Sequence, residues 1–302
     1  MTAQRVRKAV IPAAGWGTRF LPFTKSVPKE MLPVIDRPAI QYIVEEAVRA
    51  GIDDILLVTS PYKKPIEDHF DRTAELEALL ASTGKDEAAA QVRALADLAE
   101  VHSVRQGQAL GLGHAVGMAR RHVGDEPFAV LLGDDMMHPD SPLLSDMIRA
   151  TEERGRSTIA LMRVPKEDVS KYGSAAVEPI EGEDALVSVQ HLVEKPPVEE
   201  APSDLAVIGR YVFTPEIFDH IERTPPGKGG EIQLTDAMAS LAAESGINGV
   251  VFDSGRYDVG DKIDYLRTVL ELGAERDDIR PGLLQVVREF AAREGLLDGA
   301  GG

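Results

Sequence analysis

The chain has no cysteine among its 302 residues, so disulfides and thiol chemistry are excluded from its fold and its reaction. It also lacks any apolar run of 18 residues, although 43% of its residues are hydrophobic, and no membrane-spanning helix is expected. Positive charge is scarce: 33 lysines and arginines stand against 50 aspartates and glutamates, a formal net charge of -17. A field of that sign repels nucleic acid and anionic membranes, so neither is an expected partner. No internal repeat is evident. The N-terminus, Met1-Thr2-Ala3-Gln4-Arg5-Val6-Arg7-Lys8, is basic but leads into too short an apolar run for a secretory signal. With no export signal and no cysteine, the expected location is cytoplasmic.

An anionic ligand can bind such an acidic chain only where lysine, arginine or a bound cation makes the surroundings locally positive. The sequence marks such a place early. Lys8-Ala9-Val10-Ile11-Pro12 has the form of a strand buried on both faces. It feeds Ala13-Ala14-Gly15-Trp16-Gly17-Thr18-Arg19-Phe20, and Lys29 follows ten residues after the arginine. Gly15 and Gly17 remove side chains where main-chain N–H groups would approach a polyphosphate; Arg19 and Lys29 add full positive charge. Two better-known phosphate loops are excluded. The dinucleotide fingerprint needs a third glycine where Phe20 stands, and the P-loop needs Gly-Lys-Ser/Thr where Gly17-Thr18-Arg19 stands.

A chain of 302 residues can bury roughly 75% of its unfolded surface, and one unit is expected: a first half to about residue 150, a second to about 260, then C-terminal helices. Apolar runs at 53–59 and 127–133 alternate with helical patterns at 40–48 and 113–122. This predicts an α/β fold with a doubly wound, mainly parallel, Rossmann-like sheet. Residues 73–99, broken at Ser82-Thr83-Gly84, predict two inserted helices. From Ser157 the strand patterns crowd together, at 158–164, 174–179, 186–193 and 205–213, which predicts an antiparallel elaboration suited to the wall of a pocket. A helix is expected from Leu234, and residues 261–276 and 282–297 are amphipathic, with Gly299-Ala300-Gly301-Gly302 expected to fray. The apolar faces of these last helices either close the core or serve a homodimer or homotetramer.

Leu131-Leu132-Gly133-Asp134-Asp135 places two carboxylates just beyond a buried strand, at the edge where open α/β sheets bind ligands. Mg2+ favours one or two carboxylates completed by phosphate oxygens and water, which makes Asp134 a candidate ligand. Asp258 follows the apolar run at 249–252 in the same way. Either aspartate alone is also ordinary material for a cap or turn. Asp135 is open between assisting the metal, bonding the ligand and capping the next segment. The seven histidines show no metal-ligand spacing.

The loop Ala13 to Phe20 is followed by Leu21-Pro22, Thr24-Lys25, Pro28-Lys29-Glu30-Met31-Leu32-Pro33, Gln106-Gly107, Gly111-Leu112-Gly113-His114-Ala115 and Leu132-Gly133-Asp134-Asp135. Later come Lys171-Tyr172-Gly173, Val193-Glu194-Lys195-Pro196, Ile208-Gly209-Arg210-Tyr211, Gly230-Glu231-Ile232-Gln233-Leu234-Thr235-Asp236 and Tyr257-Asp258-Val259-Gly260. In this order, over residues from about 8 to 270, the sequence resembles the sugar-1-phosphate nucleotidylyltransferases, in their bacterial uridylyltransferase branch.

That resemblance implies transfer of the uridylyl group of UTP to glucose 1-phosphate, giving UDP-glucose and pyrophosphate with Mg2+ as cofactor. It implies nucleotide contacts from Ala13, Ala14, Gly15, Gly17, Thr18, Glu30, Gln106 and Gly111, the last two reading the pyrimidine. Gly173, Glu194 and Val207 would line the sugar pocket, Lys195 would meet the sugar phosphate, and Arg19 and Lys29 the triphosphate. Asp134 and Asp258 would hold the metal. A phosphate monoester is already a nucleophile, so no general base and no covalent intermediate are expected. Three rivals remain. A dTTP-using thymidylyltransferase would differ mainly around Lys29-Glu30-Met31-Leu32-Pro33. A metal-dependent glycosyltransferase would favour Asp-x-Asp over the Asp134-Asp135 tandem. A non-catalytic nucleotide-sugar-binding regulator would not require cations at both ends of the triphosphate.

Overall fold

Apolar runs too short for helices and too continuous for exposed strands assemble into the middle of one nine-stranded sheet. The computed structural model describes residues 4–296; Met1–Ala3 and the tail expected at Gly299–Gly302 lie outside that range. The first half supplies β1 (Lys8–Pro12), β2 (Pro33–Val34), β3 (Arg37–Pro38), β4 (Asp54–Thr59), β5 (Glu100–Arg105) and β6 (Phe128–Leu131). Its helices are α1 (Ala39–Arg49), α2 (Lys64–Phe70), α3 (Ala74–Ser82), α4 (Asp86–Ala96), α5 (Leu112–Gly117) and α6 (Arg120–Val123). The second half adds β7 (Asp135–Met137), β8 (Thr158–Arg163), β9 (Gly173–Pro179), β10 (Leu186–Glu194), β11 (Leu205–Phe213), β12 (Ile247–Phe252) and β13 (Arg256–Asp258). With them come α7 (Leu143–Arg154), α8 (Ile217–Arg223), α9 (Leu234–Ser245), α10 (Lys262–Glu275) and α11 (Arg280–Arg293).

The sheet order is β5-β4-β1-β6-β11-β8-β12-β10-β9. Parallel pairing joins β5, β4, β1 and β6, so the mainly parallel sheet expected from the sequence is the first half of a mixed one. Beyond β6 the direction reverses at β11, which is antiparallel to both β6 and β8. β12 returns parallel to β8, and β10 is antiparallel to β12 and β9. A further pairing, Ala206 with Ser174, closes β11, β8, β12, β10 and β9 on themselves. The expected antiparallel elaboration is therefore a curled wall, with register shifts in β10 and β11 where it bends.

Alternation along β1 sends Ala9 and Ile11 to one face and Val10 to the other. The first face is covered by α1, whose Ile40, Ile43, Val44 and Ala47 repeat at helical spacing, and by α7. The second is covered by α5, α8 and α9. The helix expected over 113–122 is broken after Gly117, where a Cβ would lie 3.3 Å from Ile221 Cγ2 and crowd α8. The two inserted helices appear as α3 and α4, and the last two as α10 and α11. α11 buries none of its residues, so its apolar positions do not close the core. No helix among the described residues is long and apolar enough to cross a membrane.

Charged pairs lie inside as well, and one of them spans helix and sheet. Arg210 on β11 donates Nε–H to Glu46 Oε1 at 2.9 Å and Nη2–H to Oε2 at 2.7 Å, with side-chain exposures of 0% and 5%. This two-pronged bond ties α1 to the central strand, and removing one member leaves the other charge buried and uncompensated. Glu46→Ala is expected to destabilise the fold by about 3–5 kcal/mol, whereas the double variant Glu46→Leu/Arg210→Met recovers most of that loss. Urea denaturation midpoints of the three proteins check this; equal losses in single and double variants would refute it.

Candidate active site

The parallel strands deliver their carboxyl ends to one edge, and each carries part of the site. After β1 comes the glycine loop, in which Ala13 is buried, Ala14 and Gly17 are half-buried, and Gly15, Thr18 and Arg19 are exposed. Gly17 has φ +64° and lies so near Lys29 that an added Cβ would meet Lys29 Cβ at 3.1 Å. A side chain there would be both strained and crowded, so glycine is required for the loop to fold back on Lys29. Thr24 holds the turn by donating to the Gly17 carbonyl at 2.7 Å. Gly15 has open space around it, which leaves its backbone approachable.

After β6 comes Asp134. Lys29 Nζ donates to its Oδ2 at 2.5 Å, while Arg19 Nη1 reaches across to the Gly260 carbonyl at 3.2 Å. Asp258, at the end of β13, arrives at the same place: its Oδ1 accepts from Gly260 N–H at 3.0 Å. A Cβ on Gly260 would stand 2.7 Å from Asp134 Oδ2 and 3.0 Å from Asp258 Oδ1. The two carboxylates thus face one small space that only the missing side chain keeps open. An all-oxygen pair of this kind suits a hard divalent cation, and the lysine ammonium already beside it shows that the spot favours positive charge. Burial pushes the Asp134 carboxyl up, but Lys29, with Arg19 behind it, outweighs this and holds it below its ordinary value. Burial alone would lower Lys29; Asp134 and Glu30 raise it instead. For Asp258 burial prevails, supported by the like charges of Asp135 and Asp134 against Arg256, and its pKa is raised.

Glu30 is fully buried and is bonded to Lys63 Nζ at 2.7 Å through Oε2. Its Oε1 has no hydrogen-bond partner among the described residues. Burial raises its pKa despite Lys63 and Lys29. Its Cγ would lie 3.0 Å from a Cβ at Gly133, so it packs beneath the Asp134 turn and supports Lys29 from below.

At the flank formed by β5, Gln106 is buried and its Nε2 donates to the Gly111 carbonyl at 3.2 Å, with His114 Nδ1 at 2.9 Å. The two residues expected to read the base therefore touch. Gly111, at φ +99°, passes so close to the chain at Glu231 and Ile232 that a Cβ would come within 2.8 Å of both. At the other flank, Glu194 Oε2 accepts from Thr235 Oγ1 at 2.7 Å, and a Cβ on Gly173 would meet both residues at 3.3 to 3.4 Å. Lys195 is 55% exposed, with its Nζ 3.4 Å from Glu194 Oε1. Its φ of +43° is uncommon for a residue with a long side chain and is held by Lys195 N–H donating to the Tyr172 carbonyl at 3.1 Å. Val207 is packed in the apolar cluster with Leu205 and Leu192, so it shapes the wall from behind.

Asp135 faces away from Asp134. Its Oδ2 accepts from Gly209 N–H and its Oδ1 from Arg256 Nε–H, both at 2.8 Å. Arg256 also lies 3.6 Å from Asp258 Oδ2, with its guanidinium over the Tyr172 ring, and the sequence reading singled it out for no role. Lys63 and Thr235 were missed as well; Thr235 lay inside a quoted motif, whereas nothing in the segment Ser60–Lys63 marks Lys63.

The sequence profile of the nucleotidyl transferase family matches residues 8–275. The chain is 48% identical over 295 residues to the UTP-glucose-1-phosphate uridylyltransferase of Bacillus subtilis (strain 168), covering 98% of each chain. It is 46% identical over 287 residues to the protein of the same name from Staphylococcus haemolyticus (strain JCSC1435), covering 95% of this chain and 99% of that one. Among solved structures, a UTP-bound UGPase from Acinetobacter baumannii superimposes with a TM-score of 0.87 at 42% identity, over 94% of this chain and 99% of that one. A UDP-glucose pyrophosphorylase complexed with UDP-glucose gives 0.81 at 41% identity, over 90% and 100%. Similarity at this level over nearly the whole length places the chain in the nucleotidyl transferase family, among the UTP-glucose-1-phosphate uridylyltransferases.

Proposed function

We propose that this protein transfers the uridylyl group of UTP to glucose 1-phosphate, giving UDP-glucose and pyrophosphate, with Mg2+ as the divalent ion and residues 1–302 as one nucleotidyltransferase unit. The observation that carries this reading is the meeting of Lys29, Asp134, Asp258 and the Arg19–Gly260 contact at one point. It is supported by relatives that bear this name and by a related structure solved with UTP bound.

In this reading the glycine loop lays its N–H groups along the triphosphate, and Arg19 and Lys29 take up the charge that develops on the departing pyrophosphate. Mg2+ held by Asp134 and Asp258 supplies further neutralisation of phosphate charge. Gln106 and the Gly111 backbone recognise the uracil, an amide being able to donate and accept against an imide edge. Glu194, fixed by Thr235, accepts from sugar hydroxyls. Lys195 turns the sugar phosphate toward the α-phosphorus for in-line attack, so catalysis rests on positioning and charge.

Asp134→Asn is expected to lower kcat in Mg2+ by about 100- to 1,000-fold, as loss of one transition-state charge contact does, while leaving the fold intact. Wild-type turnover in that variant would defeat the assignment. The two halves of the cleft separate cleanly: Lys195→Ala should raise KM for glucose 1-phosphate at least tenfold and spare UTP affinity, while Arg19→Ala should do the reverse, since a charge-assisted contact is worth about 1.5–3 kcal/mol. Calorimetric UTP binding weakened as much by Lys195→Ala as by Arg19→Ala would place the lysine in the nucleotide half. Pyrophosphate release from UTP, and not dTTP, only when glucose 1-phosphate is present tests the reaction itself.

Ile263, Leu266 and Leu270 on α10 and Val286, Val287 and Phe290 on α11 are exposed, which supports the homodimer or homotetramer expected from the sequence. Light scattering at micromolar concentration should report a dimer or tetramer, and a monomer would end that proposal.

A further inference from the structure

His102 and His122 have no motif between them, yet the fold brings them to one aspartate. Asp54 opens β4 and His102 lies within β5, the edge strand. The register pairs Leu56 with His102, so Asp54, two residues before Leu56, points to the same face of the sheet as the histidine. That is the face covered by α5 and α6, and α6 sets His122 over it. His122 Nε2 lies 2.7 Å from Asp54 Oδ1, and His102 Nε2 lies 4.0 Å from the same oxygen. One ligand atom from each residue falls within 4.8 Å of the other two.

We propose that Asp54, His102 and His122 form a binding site for a divalent transition-metal ion of borderline softness, Zn2+ first among them, separate from the catalytic cleft. Two imidazoles and one carboxylate are the donors such an ion prefers, whereas Mg2+ prefers oxygen alone. In a tetrahedral zinc site neighbouring donors stand about 3.3 Å apart, so the 2.7 Å contact widens and the 4.0 Å one closes, each by less than about an ångström at the side-chain ends. The fourth position is left to water. Among the described residues Asp54 has no lysine or arginine ion-pair partner; its oxygen meets only the two imidazoles. The end of α6 is itself anchored, because Lys8 Nζ donates to the carbonyls of His122 and Val123 at 3.3 and 3.1 Å. A cavity of about 240 Å³ opens beside Asp54; in its lining Asp53 is paired with Arg7 and Glu126 with Lys8, and Glu100 and Asp54 leave the mouth with a net negative charge. The site is at the amino end of the parallel strands. The length of β4 alone, about 16 Å, separates it from the edge that carries the catalytic groups. An ion here takes no part in the reaction; it fastens edge strand β5 to α6.

The test is calorimetric titration of Zn2+ into the full-length, chelator-stripped protein in excess Mg2+, which occupies oxygen-only sites. One equivalent is expected, with affinity at least tenfold weaker in His102→Ala/His122→Ala and in Asp54→Asn, while turnover in Mg2+ is unchanged in both variants and confirms their folding. Co2+ in place of Zn2+ should give the visible absorption of a nitrogen-ligated tetrahedral centre, lost in the same variants. Zn2+ affinity equal in parent and double variant, or binding lost in Asp134→Asn instead, would overturn the proposal.

Discussion

The carboxylate of Asp135 is the point on which the two halves of the cleft are hung. It accepts from the backbone of Gly209 on β11 and from Arg256 on β13, and β13 also pairs with β7, where Asp135 begins. Arg256 carries the connection to Asp258, and Arg210, next to Gly209, carries it the other way to Glu46 on α1. A string of buried charges therefore runs from the first helix to the rim of the site. Each negative member has a positive neighbour, which is the condition under which charge can be buried without prohibitive cost. Gly209 is required by this arrangement, because a Cβ there would press on Asp135 Oδ2 at 2.7 Å and on Leu132.

On this support the site solves the problem set by a net charge of -17. Three of its cations, Arg19, Lys29 and Lys63, gather where the parallel strands end. Lys29 is held against Asp134, and Lys63 stands behind Glu30, so positive charge is stored in ion pairs until an anion arrives. In the proposed reaction a polyphosphate entering with its own cation would exchange partners with these pairs without exposing a bare charge.

What was legible in the sequence is what short-range chemistry dictates. The glycine loop, the Asp134-Asp135 turn, the Gln106–Gly111 spacing and the strand patterns are each contained within a few residues, and their structural consequences follow from backbone freedom and alternation. The partners that fix those residues were not legible. Lys63 reaches Glu30, Thr235 reaches Glu194, and Arg210 reaches Glu46 across gaps of 33 to 164 positions, and nothing local announces such contacts. The same holds for His102 and His122, whose spacing suggests no ligand set until strand register and a helix edge bring them together. The antiparallel strands are legible, but their continuity with the parallel ones in a single sheet is not, because a strand buried on both faces reads alike whichever neighbour it pairs with.

Gly260 illustrates how a residue with no functional group can act as one. The space of its absent side chain is where Asp134 and Asp258 converge, and its carbonyl is what Arg19 grasps. A single methyl group added there would press on two carboxylates without removing either, altering the charged centre while leaving every titratable residue in place. In a saturation-mutagenesis map, position 260 would therefore score with the acidic and basic residues around it, an outcome no inventory of reactive side chains would anticipate.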